Sequence, residues 1–291
     1  MIVNNGRLKI AIQKSGRLTD ASIDLLRKCG LDFEFQRHSL YSPCRNFKID
    51  LLSLRDDDIP EYVQDGVADL GIVGENVTKE RQAKVKQLTR LGYGQCKLII
   101  GVPERSKITS IRHLQDKRIA TTYPVSLKQF LRSNSVKAEI VELSGAVELA
   151  PTLDVADAIC DIVSTGTTMR VNGLKPLTTI LESQAALIVN GSSYADKEKR
   201  SLIDRLMIRI SGCLQARGKR YLMMNAPMKS IERLKTILPS MKSPTIVPLA
   251  EKDMVALHTV VAEDDFWDLM ENLKMNGASD IVVVPIETII N

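Results

Sequence analysis

The chain has 291 residues, 44% apolar and 26% charged, with a formal charge of +5 at neutral pH. That is globular composition at a length for two or three domains. The cleanest apolar runs, such as Ile281 to Val284, are strand-sized, which excludes a membrane span, and no basic face with interleaved aromatics marks a nucleic-acid binder.

The first half alternates strand-like and helix-like segments, the mark of α/β layers. Leu8 to Gln13 is predicted as a strand, followed by the turn Lys14-Ser15-Gly16-Arg17 and a helix over Asp20 to Cys29. Ile49 to Leu54 is a second strand, Ile59 to Asp65 a short helix, and Leu70 to Val73 a buried strand opening into Gly74-Glu75-Asn76. Asp56-Asp57-Asp58 precedes the short helix, where acids complement the helix dipole. That reading is preferred to a metal cluster.

A second unit begins near Lys97 to Val102, with strands over Arg118 to Thr121 and Ala138 to Leu143 and a helix over Val125 to Ser133. Val147 to Leu149 leads through the strand Ala156 to Val163 into Ser164-Thr165-Gly166-Thr167-Thr168. Ala185 to Val189 is a return strand. Lys197 to Gln215 is a helix with Leu202, Ile203, Leu206, Met207, Ile210 and Leu214 on one stripe. The last part changes rhythm: strand Tyr221 to Met224, helix Lys229 to Leu238 closed by Pro239, strands Thr245 to Leu249 and Val255 to Val261, helix Phe266 to Met275, strand Ile281 to Ile286. The order β-α-β-β-α-β is that of a ferredoxin-like domain, which in enzymes often binds an effector or mediates assembly.

The segment Asp161 to Thr168 carries the strongest chemical signal. A buried strand runs into small hydroxylated residues around Gly166, so backbone amides and hydroxyls can converge on an anion. Asp161 would repel bare phosphate, which fits an acceptor for ribose hydroxyls or a magnesium ligand. The alternative is a capped turn without a ligand. Gln13 to Arg17, Asp69 to Asn76 and Thr121 to Pro124 are further candidate ligand loops, each also readable as an ordinary turn. Five scattered cysteines (Cys29, Cys44, Cys96, Cys160, Cys213) read as reduced thiols, and isolated His38, His113 and His258 argue against a His-ligated metal. Met1 to Arg7 is polar and Leu8 to Ile12 too short for a signal core, so a cytoplasmic location is expected.

QKSGRL (Gln13–Leu18), RDDDIP (Arg55–Pro60), DLGIVGENV (Asp69–Val77), RIATTYP (Arg118–Pro124), ADAICDIVSTGTTMR (Ala156–Arg170) and PTIVPLA (Pro244–Ala250) occur in one order. Together they resemble the ATP phosphoribosyltransferase family in its long form. The resemblance implies a pentosyltransferase that opens histidine biosynthesis: N1 of ATP attacks C1 of 5-phosphoribosyl 1-diphosphate, diphosphate leaves, and magnesium is required. It implies two lobes like those of type II periplasmic binding proteins. The first is discontinuous (residues 1–94 and 185–220), the second covers 95–184, and 221–291 form a ferredoxin-like regulatory domain. Dimers assembling into hexamers and inhibition by histidine are also implied.

Carried onto this sequence, the family's phosphoribosyl loop matches Asp161, Ser164, Thr165, Gly166, Thr167 and Thr168. Asp161 and Glu148 are candidate carboxylates toward ribose or metal, and Glu148 is equally readable as a surface acid. Arg17 and Lys14 are expected to offset phosphate charge, Asp69 and Gly71 to line the cleft near the purine, and Tyr123 to contact substrate from the opposing lobe. Asn225, Thr245, Ala278 and Ser279, with Gly277, are the expected histidine pocket. A solute-binding protein, another phosphoribosyltransferase and an inactive regulatory paralogue are the rivals.

Overall fold

The structure is a computed structural model that describes residues 6–34, 39–164, 166–238, 243–264 and 266–290. His38, Thr165 and Pro239 lie outside the described residues. The chain divides into two compact units, Met1–Asp204 and Arg205–Asn291.

The first unit opens with β1 (Leu8–Gln13), α1 (Thr19–Lys28), β2 (Tyr41–Pro43) and β3 (Ile49–Leu54). A 3₁₀ turn, Asp56–Asp58, then leads into α2 (Ile59–Gln64), β4 (Leu70–Gly74), α3 (Glu75–Glu80) and β5 (Lys86–Arg90). The chain moves to a second sheet through β6 (Cys96–Pro103), β7 (Arg118–Thr121), α4 (Pro124–Ser133) and β8 (Glu139–Glu142). β9 (Ala158–Val163), α5 (Thr167–Val171) and β10 (Leu174–Ser183) complete it. β11 (Ala185–Val189) returns to the first sheet, followed by α6 (Gly191–Ala195) and α7 (Lys197–Ala216).

The first sheet has the order β2-β3-β1-β4-β11-β5 and the second β10-β6-β9-β7-β8. In the first, β1 runs parallel to β3 and β4; in the second, β7 runs parallel to β8 and β9. Parallel strands demand cover on both faces. The second sheet has it: Leu98, Ile100, Ile119 and Leu127 cluster on one side, and Ile99, Ala120, Val147, Ile159 and Met169 on the other. Over the first, α2 packs closely because Gly71 has no side chain. A Cβ there would lie 2.8 Å from Ile59 Cγ2 and 2.9 Å from Val63 Cγ2.

The second unit contains β12 (Lys219–Pro227), α8 (Ile231–Ile237), β13 (Thr245–Pro248), β14 (Met254–Ala262), α9 (Phe266–Met275) and β15 (Ser279–Pro285). Its antiparallel sheet has the order β13-β14-β12-β15, the ferredoxin-like arrangement. Alternate residues Leu222, Met224, Ala226, Val255 and Leu257 face a core closed by Leu234, Leu269 and Leu273. The unit begins inside α7, earlier than the change of rhythm near Tyr221. The end of that helix packs on the C-terminal segment: Ile289 N donates to Gly212 O at 3.0 Å, and a Cβ on Gly212 would meet Thr288 Cγ2 at 2.5 Å.

Several elements differ from the sequence expectation. β10 was not expected: Pro176 and two irregularities of register break its alternation. β5 is polar and exposed along an edge, without a hydrophobic signal. Glu75 and Asn76, expected in a loop, begin α3. The helix expected from Lys229 starts as a 3₁₀ turn, Met228–Ser230, and becomes α-helical at Ile231.

Candidate functional site

Parallel α/β sheets gather ligands beyond the carboxyl ends of their strands. In the first sheet those ends lead to Lys14–Leu18 after β1, to Arg55–Asp58 after β3, and to α3 after β4. In the second they lead to Thr122–Pro124 after β7, Leu143–Ser144 after β8 and Ser164–Gly166 after β9. The two sets meet. Arg17 Nη1 donates to Ser164 Oγ at 3.1 Å, and its Nη2 lies 3.3 Å from Cys96 Sγ. Asn76 Nδ2 donates to Tyr123 Oη at 3.4 Å.

The Arg17 turn is shaped by its own sequence. Gly16 has φ +135, and a Cβ there would strike the Gln13 side chain at 2.6 Å. That side chain is itself fixed, since its Oε1 accepts from Leu18 N at 3.0 Å. Lys14 sits half-buried in the same turn, its amide donating to Leu54 O at 2.7 Å.

The loop after β9 is anchored from behind. Met169, on α5, is buried, and Gly101 on β6 leaves it room: a Cβ there would lie 2.5 Å from Met169 Cε. Gly166 has φ +76, the left-handed region that glycine enters without strain. Ser164 and Thr167 are exposed beside it.

Asp161 lies on β9 opposite Ile99, half-buried, with Oδ1 accepting from Ile162 N at 2.7 Å. Burial pushes its carboxyl above the usual carboxylate range; the Ile162 amide opposes the shift and Glu148 adds to it. Glu148 sits in the 3₁₀ turn Val147–Leu149, entered through left-handed Ala146, so the two carboxylates sense each other. Tyr123 is pushed upward first by burial and then by Asp161, with smaller contributions from Asp57 and Asp56.

Asp56 is a residue that sequence reasoning missed. It is pushed up to about 6 by burial and Asp57, and Arg17 draws it down. Its Oδ1 is buried without a hydrogen-bond partner. In the sequence it was masked by membership of an acidic run with a ready structural explanation.

Two expected site residues are corrected. Asp69 precedes β4, at the amino end of the strand, and points away from the ligand loops. Its carboxylate accepts from Lys9 N at 2.8 Å, Ser193 Oγ at 2.6 Å and Lys199 Nζ at 2.7 Å, tying α6 and α7 to the sheet. Gly71 is fully enclosed within β4 beneath α2 and lines no cleft.

In the second unit, Asn225 pairs with Ser279 across β12 and β15, and its Nδ2 donates to Asp280 Oδ2 at 3.2 Å. Ser279 Oγ donates to the same oxygen at 3.0 Å, and Ala278 is buried next to it. Thr245 is not with them. It lies on β13, at the opposite edge of the sheet. It is two inter-strand steps from β12 and three from β15, about 10 and 14 Å. Asp280 thus places a carboxylate against both Asn225 and Ser279.

Among the described residues no cluster of three or more His, Cys, Asp or Glu side chains could cage a metal, and no helix is long and apolar enough to cross a membrane. Two cavities lie along these strand ends, the first of them touching Ser164. One of about 370 Å³ is lined by Glu75, Arg90, Cys96, Lys97 and Ser164. The other, of about 480 Å³, is lined by Asp57, Glu80, Arg81, Tyr123 and Glu142.

The fold and these loops define a two-lobed α/β protein in which a glycine turn after β9 and an arginine turn after β1 meet at the strand ends. The ATP phosphoribosyltransferase (HisG) family model matches residues 55–212, and that of the HisG C-terminal domain matches 216–288. An ATP phosphoribosyltransferase of Cytophaga hutchinsonii is 47% identical over 283 residues, covering 97% of this chain and 98% of its own. Among solved structures, a chain of the ATP phosphoribosyl transferase (HisG:HisZ) complex from Thermotoga maritima superposes with a TM-score of 0.60 at 31% identity. That match covers 70% of this chain and 98% of the other. A putative periplasmic sulfonate-binding protein from Methylobacillus flagellatus KT, with a TM-score of 0.50 at 15% identity, shares the fold over 70% of this chain and 66% of its own.

The chain belongs to the ATP phosphoribosyltransferase family. It acts on ATP and 5-phosphoribosyl 1-diphosphate in the first step of histidine biosynthesis, forming N1-(5-phosphoribosyl)-ATP and diphosphate.

Proposed function

We propose that the transfer takes place in the cleft between the two sheets of the first unit, with 5-phosphoribosyl 1-diphosphate seated on the loop after β9. One observation carries this reading: the Arg17 guanidinium, from the end of β1, bonds Ser164 in the turn that directly follows Asp161 on β9. Amides of the turn and the hydroxyls of Ser164, Thr165, Thr167 and Thr168 hold the 5-phosphate. Asp161 accepts from the ribose hydroxyls, Arg17 and Lys14 offset the diphosphate charge, and Tyr123 bounds the acceptor side. The N1 lone pair of adenine forms the new bond to C1 as the C1–O bond breaks, and diphosphate departs with the electron pair.

No protein nucleophile enters. Cys160, beside Asp161, is fully buried and its thiol is pushed up to about 12, so it stays protonated. Orientation and electrostatic stabilisation of the oxocarbenium-like state supply the rate.

Magnesium fits this donor set. It is usually held by one or two carboxylates together with substrate phosphates, and Asp161 with Glu148 offers two mutually repelling carboxylates beside the phosphate loop. When bound, the ion neutralises charge on the leaving diphosphate.

Residues 1–94 with 185–220, and 95–184, serve as the catalytic lobes, and 221–291 as a regulatory domain. Histidine inhibits by binding at Asn225, Ala278 and Ser279, its amine paired with Asp280. The protein works in the cytoplasm as a dimer that assembles to a hexamer. The test is diphosphate release from ATP, 5-phosphoribosyl 1-diphosphate and magnesium, with formation of an adduct absorbing near the adenine band. No release at any magnesium concentration would remove this reading in favour of a binding protein.

A further inference from the structure

Helix α3 belongs to the first sheet's lobe, yet its contacts reach into the second. Asn76 N donates to Ser183 Oγ at 3.0 Å, and that hydroxyl donates back to Asn76 Oδ1 at 2.8 Å. At the far end of α3, both oxygens of Glu80 are engaged. Oε1 accepts from Val125 N at 2.7 Å and Oε2 from Ser126 N at 2.9 Å.

The first turn of any helix leaves amides without intrahelical partners. In α4 the account closes. Pro124 has no N–H, Leu127 N donates to Tyr123 O at 3.0 Å, and Glu80 takes the two between. A carboxylate suits this place twice over: it offers two acceptors and complements the positive end of the helix. A helix start at a strand end, inside a cleft, is also where a phosphate would settle. Here an internal carboxylate from the opposite lobe already fills it. The neighbouring cation does not compensate Glu80, for Arg81 is turned to Asp57 at 3.6 Å and Glu61 at 3.9 Å.

We propose that Glu80 is a positioning residue for the transfer. By capping α4 from the other lobe it holds the cleft at the separation where Arg17 meets Ser164, and it keeps substrate phosphate off the start of α4. The loop after β9 is then left as the phosphate site. This inference rests on the reading of that loop given above.

Two full-length variants, Glu80→Ala and Glu80→Gln, test it by kinetics and by amide hydrogen exchange resolved at Val125 and Ser126. Glutamine keeps one acceptor and presents an NH₂ to the second amide, so it also breaks the cap while preserving volume. In both, exchange at these two amides should rise at least about tenfold, the scale of a lost charge-assisted hydrogen bond, with the β1 amides unchanged. KM for both substrates should rise about tenfold with little change in kcat. Added acetate should restore KM in Glu80→Ala, and inorganic phosphate should inhibit the variants more strongly than the wild type. If Glu80→Ala fails to fold, Glu80→Gln alone decides. Wild-type KM together with wild-type phosphate sensitivity overturns the proposal even if exchange rises. The loop reading fails separately: Gly166→Val would then keep activity while Glu80 still protects α4.

Discussion

Arg17 and Ser164 are 147 residues apart and follow strands of different sheets, yet the guanidinium donates to the hydroxyl at 3.1 Å. The contact joins the turn after β1 to the turn after β9. Arg17 is exposed, and it also lowers the carboxyl of Asp56 on its own side. Under the proposed function, a cation bonded to Ser164 and acting on the half-buried Asp56 carboxyl is in place to receive a polyanionic substrate with little reorganisation.

Replacing Arg17 with alanine should therefore weaken transition-state stabilisation more than folding. Loss of one charge-assisted contact to phosphate is worth about 1.5–3 kcal/mol, so kcat/KM for 5-phosphoribosyl 1-diphosphate should fall about ten- to a hundredfold. Steady-state kinetics at varied ionic strength would check it, and an unchanged kcat/KM would move the phosphate contact elsewhere.

Gly166→Val and Asp161→Asn should abolish turnover while the protein stays folded. The space at Gly166 is open, the nearest atom to an added Cβ being Val163 Cγ1 at 3.9 Å. The penalty for valine is thus conformational: φ +76 is costly for a β-branched side chain. Gly166→Asn, which tolerates the left-handed region better, should retain measurable activity. Wild-type rates in the valine and Asp161→Asn variants would relocate the site.

Asp56 gives a pH prediction with a definite sign. Its folded pKa, about 6, lies above the ordinary aspartate value. Below pH 4 the group is protonated folded or unfolded and contributes nothing. Between about pH 4 and 6 the unfolded chain loses this proton while the folded one keeps it, so stability falls across that window by up to roughly 3 kcal/mol and levels off above it. Asp56→Asn should accordingly be more stable than wild type at pH 7–8, with the difference fading toward pH 4. Denaturant midpoints across that range would measure it; a variant less stable at pH 8 would contradict the assignment.

Asp69 should behave as a structural residue. Lys199→Ala leaves its buried carboxylate without its cation, a loss of about 3 kcal/mol for such a pair. Thermal denaturation should report the loss while KM for ATP stays near wild type. A selective rise in KM without a fall in Tm would return Asp69 to the purine site.

For the regulatory reading, Asp280→Ala should abolish inhibition by histidine and Thr245→Ala should leave it intact, because only the former adjoins Asn225. Inhibition curves on the two variants would decide; loss in both alike would mean that the far edge of the sheet takes part.

The local sequence determined much of this protein by itself. Apolar runs with strand length, such as Leu8–Gln13 and Leu70–Gly74, and the turn chemistry around Gly16 and Gly166 declare themselves through short-range physics: burial pattern, φ freedom and hydroxyl placement. The strand-to-turn form of Asp161 to Gly166 was legible for the same reason. Tertiary structure decided the surroundings of each charge. In sequence Asp56 is one of a run of three acids and Asp69 a single acid before an apolar strand, and neither shows its surroundings. Only the fold shows that Asp69 is saturated at the amino end of β4 while Asp56, half-buried, keeps one buried oxygen unpartnered. Likewise nothing near Glu80 in the sequence announces that its carboxylate caps a helix 45 residues away in the other lobe. An electrostatic environment is set by whatever the folded chain brings close, and sequence spacing does not encode that distance.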